Sequence, residues 1–272
     1  MTRHVIEALG KARIVVEDGK VVEVGEPKVK FCPLFKKYRN IDEFNTETIR
    51  GNIEYRIRTF GMCTGSREIR MKDFLSFGIS ELLSMCLFRR MLDAAVIAAD
   101  GTGTCVLNDP EVVQGLGGRI SGVVETEPID EVIDAIGRER ILDPSNAAID
   151  QFAGVSKAFA MGCGKVGVTV AFADDAELIR NAFGRNAVIF AVHTTGTSMK
   201  DAERLFDNCD VITACASESI RAVAKHRALL QAGTKVPVFA SSEVGKEIIL
   251  AKLNELGKEP STTEDSQPFP LN

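Results

Sequence analysis

A chain of 272 residues, 45% hydrophobic and 26% charged, can bury a sizeable core, which excludes a disordered protein and allows one large or two small domains. A net charge of −5, no Trp and 6% aromatics exclude a sequence-independent nucleic-acid binder and a base-stacking platform. No apolar run approaches the ~20 residues of a membrane span, and Met1-Thr2-Arg3-His4 leads into no signal-type apolar core. With seven scattered cysteines and no CxxC pair, these features predict a cytoplasmic protein with free thiols and no membrane association. A homo-oligomer is the base-rate expectation.

In chain order, residues 13–24 are β-branched runs around Asp18-Gly19, which supplies the positive φ angles of a two-residue hairpin turn. Lys30 to Phe35 (KFCPLF) and a basic patch of Lys36, Lys37 and Arg39 follow. Residues 46–60 place Ile49, Ile53, Ile57 and Phe60 at helical spacing, closed by Gly61. Residues 1–70 therefore read as an N-terminal hairpin-and-helix module. Residues 73–91 read as a helix apolar on most faces, followed by a buried strand over 93–99. Asp109-Pro110 opens a short helix; a helix over 129–136 and a short strand over 140–143 come next.

A helix at 151–162 leads into regular alternation. Strands are predicted at 165–172, 187–192, 210–214 and 236–240, with helices at 175–183, 199–207, 218–231 and 243–256. Such alternation predicts an α/β domain over 71–257, a mostly parallel doubly wound sheet with helices on both faces. Residues 258–272, rich in Pro, Ser and Thr, read as a flexible C-terminal tail. No internal repeat is present.

Ligands of open α/β sheets bind outside the carboxyl ends of the strands, near a switch in strand order. That rule selects Asp100, Gly101, Thr102, Gly103 and Thr104; Ala173-Asp174-Asp175; His193, Thr194, Thr195 and Gly196; Cys215 to Ser217; and Ser241-Ser242. The DGTGT stretch after a buried strand would let backbone approach a phosphate or carboxylate. Gly117, Gly118, Arg119 and Ser121 form a second flexible segment in which Arg119 can grip an anion. Neither stretch matches G-x-G-x-x-G or a P-loop. His193 is the candidate acid–base group and Cys215 the candidate thiolate, each at a strand end. For Asp174, Ser217 and Ser242 the plain alternative is helix capping, and for the DGTGT stretch a turn. No metal site is predicted; Cys32 and Cys63 are the weak candidates, since two ligands cannot close a tetrahedral site.

The segments HVIEALGKARIVVEDGKVVEVGEP, KFCPLF, FGMCT, DGTGT, VQGLGGRISG, AVHTTG, DVITACAS and LLQAGTKVPVFA together resemble the methanogenesis marker protein 8 family of methanogenic archaea. That resemblance implies a cytoplasmic setting in anaerobic one-carbon metabolism and no reaction. Residues 77–196 are also similar in element order to the flavoprotein β subunit of deazaflavin-reducing hydrogenases. Gly78, Asp93-Ala94, Asp109-Pro110, Gly118 to Ser121, Ala173 to Asp175 and His193 to Thr195 stand at the corresponding places. The Pro-Cys of that subunit's strand loop, its iron–sulfur cysteine cluster and the tyrosine of its turn are missing. The resemblances imply a phosphate-bearing small molecule, flavin or deazaflavin first, at the strand ends. Alternatives are a non-catalytic assembly factor partnering the methyl-coenzyme M reductase system, docking through the hairpin and basic patch, and a thiol redox protein using Cys32, Cys63 or Cys215.

Overall fold

The computed structural model describes residues 2–72, 77–119 and 122–272. Three antiparallel strands open the chain: β1 (Arg3–Ala8), β2 (Ala12–Glu17) and β3 (Lys20–Val24). The predicted turn joins β2 to β3, with Glu17 paired to Lys20 and positive φ at Asp18 and Gly19. After α1 (Pro33–Arg39) comes α2 (Thr46–Phe60), with the predicted bounds. Asn45 and Thr48 form a reciprocal capping box at its start, and Gly61 closes it in the left-handed region. Ile49 and Ile53, one turn apart, are fully buried against Ile6, Ile14 and Val16. Each such side chain stabilises the layer by about 1.5–3 kcal/mol.

The helix expected over 73–91 is described as α3 (Ile79–Phe88); residues 73–76 lie outside the described part. Then follow β4 (Ala94–Ala99), β5 (Gly103–Leu107), α4 (Pro110–Gly117), β6 (Val123–Thr126), α5 (Asp130–Ile136) and α6 (Gln151–Ala160). The C-terminal half alternates as β7 (Val166–Val170), α7 (Ala173–Phe183), β8 (Ala187–Ala191), α8 (Met199–Asn208), β9 (Val211–Thr213) and α9 (Glu218–Arg227). It ends with β10 (Leu230–Ala232), β11 (Val238–Ala240) and α10 (Glu243–Glu255).

The expected α/β class is what forms. The large sheet has the order β10-β11-β9-β8-β7-β4-β5. Its centre, β4, β7, β8 and β9, is parallel, while β5, β10 and β11 add antiparallel edges. Side chains alternate between faces, as a pleated strand requires. Ala95, Ile97, Val188 and Phe190 meet α3, α4 and α10 on one face; Val96, Val168, Ile189 and Ile212 meet α6 to α9 on the other.

Several sequence expectations change. The four parallel strands lie side by side in chain order, with no reversal among them. Strand 236–240 is antiparallel, so Ser241-Ser242 falls at the opposite end of the sheet from the other strand-end loops. Helix 218–231 stops at Arg227, because Leu230 to Ala232 pair with β11. Within 140–143 there is a single bridge, Ile141 to Cys105, in place of a strand. The tail at 258–272 is fastened by reciprocal backbone bonds between Phe31 and Phe269, and by Asn272 N–H donating to Ala216 O. Asp174 caps nothing: α7 begins at Ala173 after Phe172, and the exposed Asp174 carboxylate pairs with Arg204.

The smaller sheet, β3-β2-β1-β6, draws β6 from beyond the first 70 residues and sits at the end of β4. Asp100 joins the two layers. Its carboxylate accepts the Cys63 N–H at 2.6 Å and the Arg67 Nε at 3.1 Å, with both charged side chains fully buried. Breaking a buried pair leaves an uncompensated charge, so Asp100→Ala is expected to lower unfolding free energy by about 3–5 kcal/mol. Asp174→Ala, which opens a surface pair, is expected to lose less than about 1 kcal/mol. Urea unfolding of the two variants measures the contrast.

Candidate functional site

A crevice of about 450 Å³ opens at the C-terminal ends of the four parallel strands. Ala98, Thr169, Val192 and Thr213 bring those ends to its floor; Leu83 of α3 and Phe172 form parts of its wall and mouth. Small-molecule sites are commonly about 300–1,000 Å³ and mostly apolar, which this lining matches. Cavities of about 260 Å³ toward Lys11 and Ser198, and about 200 Å³ toward Cys32 and Val29, adjoin it. His193 lines all three.

His193 stands just beyond β8 with φ 59, in the left-handed region a side chain rarely adopts. Such strain costs of order 1–3 kcal/mol and persists where surroundings over-determine it. Here the surroundings are explicit. The Thr194 hydroxyl donates to Thr213 O at 2.7 Å, Thr195 Oγ1 accepts from Ala216 N–H, and Lys11 Nζ donates to Thr195 O. The imidazole Nε2 lies 2.7 Å from Glu7 Oε2, a bond between β1 of the small sheet and a strand end of the large one. The Glu7 carboxyl is held below the ordinary carboxylate range, chiefly by this hydrogen bond. Cys215, beyond β9, is also left-handed (φ 42) and lies 3.5 Å from Thr213 Oγ1.

Of the predicted site residues, His193 and Cys215 reach the crevice together with Gly117, and Thr195 lines the neighbouring cavity. Thr194 braces the loop. The DGTGT stretch is a hairpin turn whose space is filled by the chain itself. A Cβ at Gly103 would stand 2.1 Å from Ala147 O, and one at Gly101 would stand 2.8 Å from the Ile129 side chain. Thr102 and Thr104 are buried, the latter donating to Gln151 Oε1. Gly118 ends α4. Arg119 is turned away from the crevice: it pairs with Glu68 and stacks 4.1 Å from the Phe60 ring centre. Asp174 is on the surface, and Ser121 lies outside the described residues. Ser217 and Ser242 are helix N-caps, the plain alternative for both.

Among the described residues no group of three or more His, Cys, Asp or Glu could hold a metal ion. Cys32 shares a cavity with Cys215, and burial raises its thiol pKa. Cys63 is sealed beside Asp100, with its thiol pushed well up by burial. In the basic patch, Lys36 pairs with Asp42, and Lys37 and Arg39 lie against the Tyr38 and Tyr55 rings. No helix among the described residues is long and apolar enough to cross a membrane.

Asp175, in the Ala173-Asp174-Asp175 loop that the strand-end rule selected, lines the crevice, whereas Glu7, which lines the two adjoining cavities, is a residue that the rule passed over. The signal for Glu7 was a lone acid inside the apolar run HVIEA. A larger space of about 730 Å³ lies between α9 and the C-terminal segment. Its buried Arg221 is neutralised by Glu264 at 3.0 Å and donates to the Ala214 carbonyl just beyond β9.

A family profile described as an uncharacterized protein conserved in archaea (DUF2099) matches residues 4–254. The chain belongs to this family. The DUF2099 region reaches from β1 into α10, so Glu7, His193 and the crevice all fall inside it. The chain is also 44% identical over 282 residues to "Uncharacterized protein MJ0054" of Methanocaldococcus jannaschii, with 100% of each protein covered. No solved structure matches.

Gly122 sets how closely the small sheet approaches His193. With φ +50, a Cβ there would stand 2.7 Å from the His193 ring and 2.7 Å from Glu7 O. Gly122→Ala is expected to displace the imidazole from Glu7, seen as moved His193 ring signals in NMR with the fold retained. Because the folded Glu7 pKa is depressed, its contribution to stability is present above about pH 4.5 and lost as pH falls below it. Glu7→Gln is expected to flatten that acid limb in urea unfolding across a pH series.

Proposed function

We propose that this DUF2099 protein binds a small organic molecule with an apolar body in the strand-end crevice and handles a proton on it through His193, oriented by Glu7. The observation that carries this reading is the convergence of three cavities on a conformationally strained histidine whose ring is held from the second sheet. Strained residues cluster at functional sites, and two of the left-handed non-glycine residues, His193 and Cys215, line this crevice. A hydrogen-bonded carboxylate that fixes the imidazole is the usual partner of a histidine acid or base. Cys215, strained in the same way on the next strand end, faces the same space.

The apolar walls suit the ring of a flavin or deazaflavin, the cofactors implied by resemblance to the hydrogenase subunit. The phosphate is harder to place. Among the described residues the crevice is lined by no Lys or Arg, and Arg119 is committed to Glu68. The geometry therefore favours a substrate-sized molecule over a phosphate-bearing cofactor. Protein purified anaerobically from its native host is expected to release a small organic compound on denaturation, identified by mass spectrometry. Ala171→Trp, at the crevice wall, is expected to abolish that retention with the melting temperature nearly unchanged. A flavin absorbance band in the native protein would restore the cofactor reading. Native protein that carries nothing and binds no member of a metabolite panel would sink the proposal.

A further inference from the structure

The crevice has a chemical preference written into its wall by a residue outside the Glu7–His193 pair. Asp175 lies in the first turn of α7 and lines the crevice, half-buried. Among the described residues its carboxylate has no hydrogen bond and no ion pair, unlike the carboxylates around it. Asp174 is paired with Arg204, Asp150 accepts the Ala153 N–H as the cap of α6, and Glu7 holds His193. Burial, followed by repulsion from Asp150 and Asp174, raises the Asp175 pKa, although a helix first turn ordinarily favours a carboxylate.

We propose that Asp175 selects the crevice's occupant, and that the occupant carries a protonated amine set against an apolar body. This deepens the crevice-binding reading above and rests on it. An occupant that fills the crevice takes Asp175 further from water. A carboxylate so desolvated must be met by opposite charge or it opposes binding. The described lining supplies no Lys or Arg, and its histidine, His193, is already held by the Glu7 carboxylate, so the compensating charge has to arrive with the ligand. An anion would meet Asp175 with Asp150 and Asp174 close behind it, and like charges brought together in a low-dielectric cleft discriminate strongly against the wrong ligand. The same wall offers Leu83, Ile97 and Val170 for an apolar portion. Phe172 stands at the mouth, 68% exposed, an aromatic face that a cation also favours.

The test uses the full chain and three probes of similar shape: phenethylammonium, phenethyl alcohol and phenylacetate. Binding is followed by amide NMR at Thr169, Phe172, Val192 and Cys215, around the crevice. Phenethylammonium is expected to perturb these amides, and Asp175→Asn to weaken it about tenfold, equivalent to 1.4 kcal/mol. Asp207→Asn, which removes a surface carboxylate paired with Arg227 and outside the crevice lining, is expected to leave the affinity unchanged. Equal binding of the alcohol or of phenylacetate, or unaltered amine binding in Asp175→Asn, overturns the amine preference and leaves crevice binding standing. If no probe perturbs the crevice amides, both the preference and the crevice-binding reading fall.

Discussion

The buried ion pair between Asp100 and Arg67 is the constraint on which the arrangement of the two sheets depends. Two charges with fully buried side chains are tolerable only when each is met by hydrogen bonds. Asp100 receives the Cys63 N–H as well as the guanidinium, and Arg67 also donates to the carbonyls of Glu68 and Leu116. This network ties the segment after α2 to the tip of β4. The turn is held from its other side as well, where Gly101 N–H donates to the Thr126 hydroxyl at the end of β6. With β6 paired to β1, the small sheet has one place in which to sit.

That placement creates the site. Once β1 lies across the strand ends, Glu7 can reach His193, and the closeness of Gly122 leaves the imidazole little room to move. The loop after β8 is held in a strained form by bonds to β9, to the residues after it and to Lys11. In many α/β proteins a reversal of strand order opens the binding crevice. Here the parallel strands run in chain order, and the cleft is formed by a second sheet laid over their ends. Asp175 also lines that cleft, in which the described residues include no Lys or Arg.

Elements with a strong local signal were legible in the sequence. Asp18-Gly19 admits little besides a tight hairpin, and the spacing of Ile49, Ile53 and Ile57 admits little besides a helix closed by Gly61. The apolar runs at 166–170 and 187–191 read correctly because strands covered on both faces need no alternation. Elements whose only support is a distant partner were not legible. β6 is a strand because β1 lies beside it, and β10 is cut out of an apparent helix by β11. The glycines of DGTGT carried a genuine signal of close approach, but the approaching groups are Ile129 and the Ala147 carbonyl instead of a ligand.

The sequence alone therefore established the α/β class, the hairpin, the main helices and strands, and the candidacy of His193 and Cys215, because these follow from short-range periodicity and from residue chemistry at strand ends. Tertiary structure decided which glycines serve the fold and which line a cavity, that Arg119 is spent on Glu68, that Glu7 reaches the site, and that of the Asp174-Asp175 pair it is Asp175 that lines the crevice. The physical reason is the range of the interactions. Hydrogen bonds and charge pairs between residues far apart in the chain, such as Glu7 with His193 or Asp100 with Arg67, leave no periodic trace in either partner's neighbourhood. They become visible only when the layers are packed.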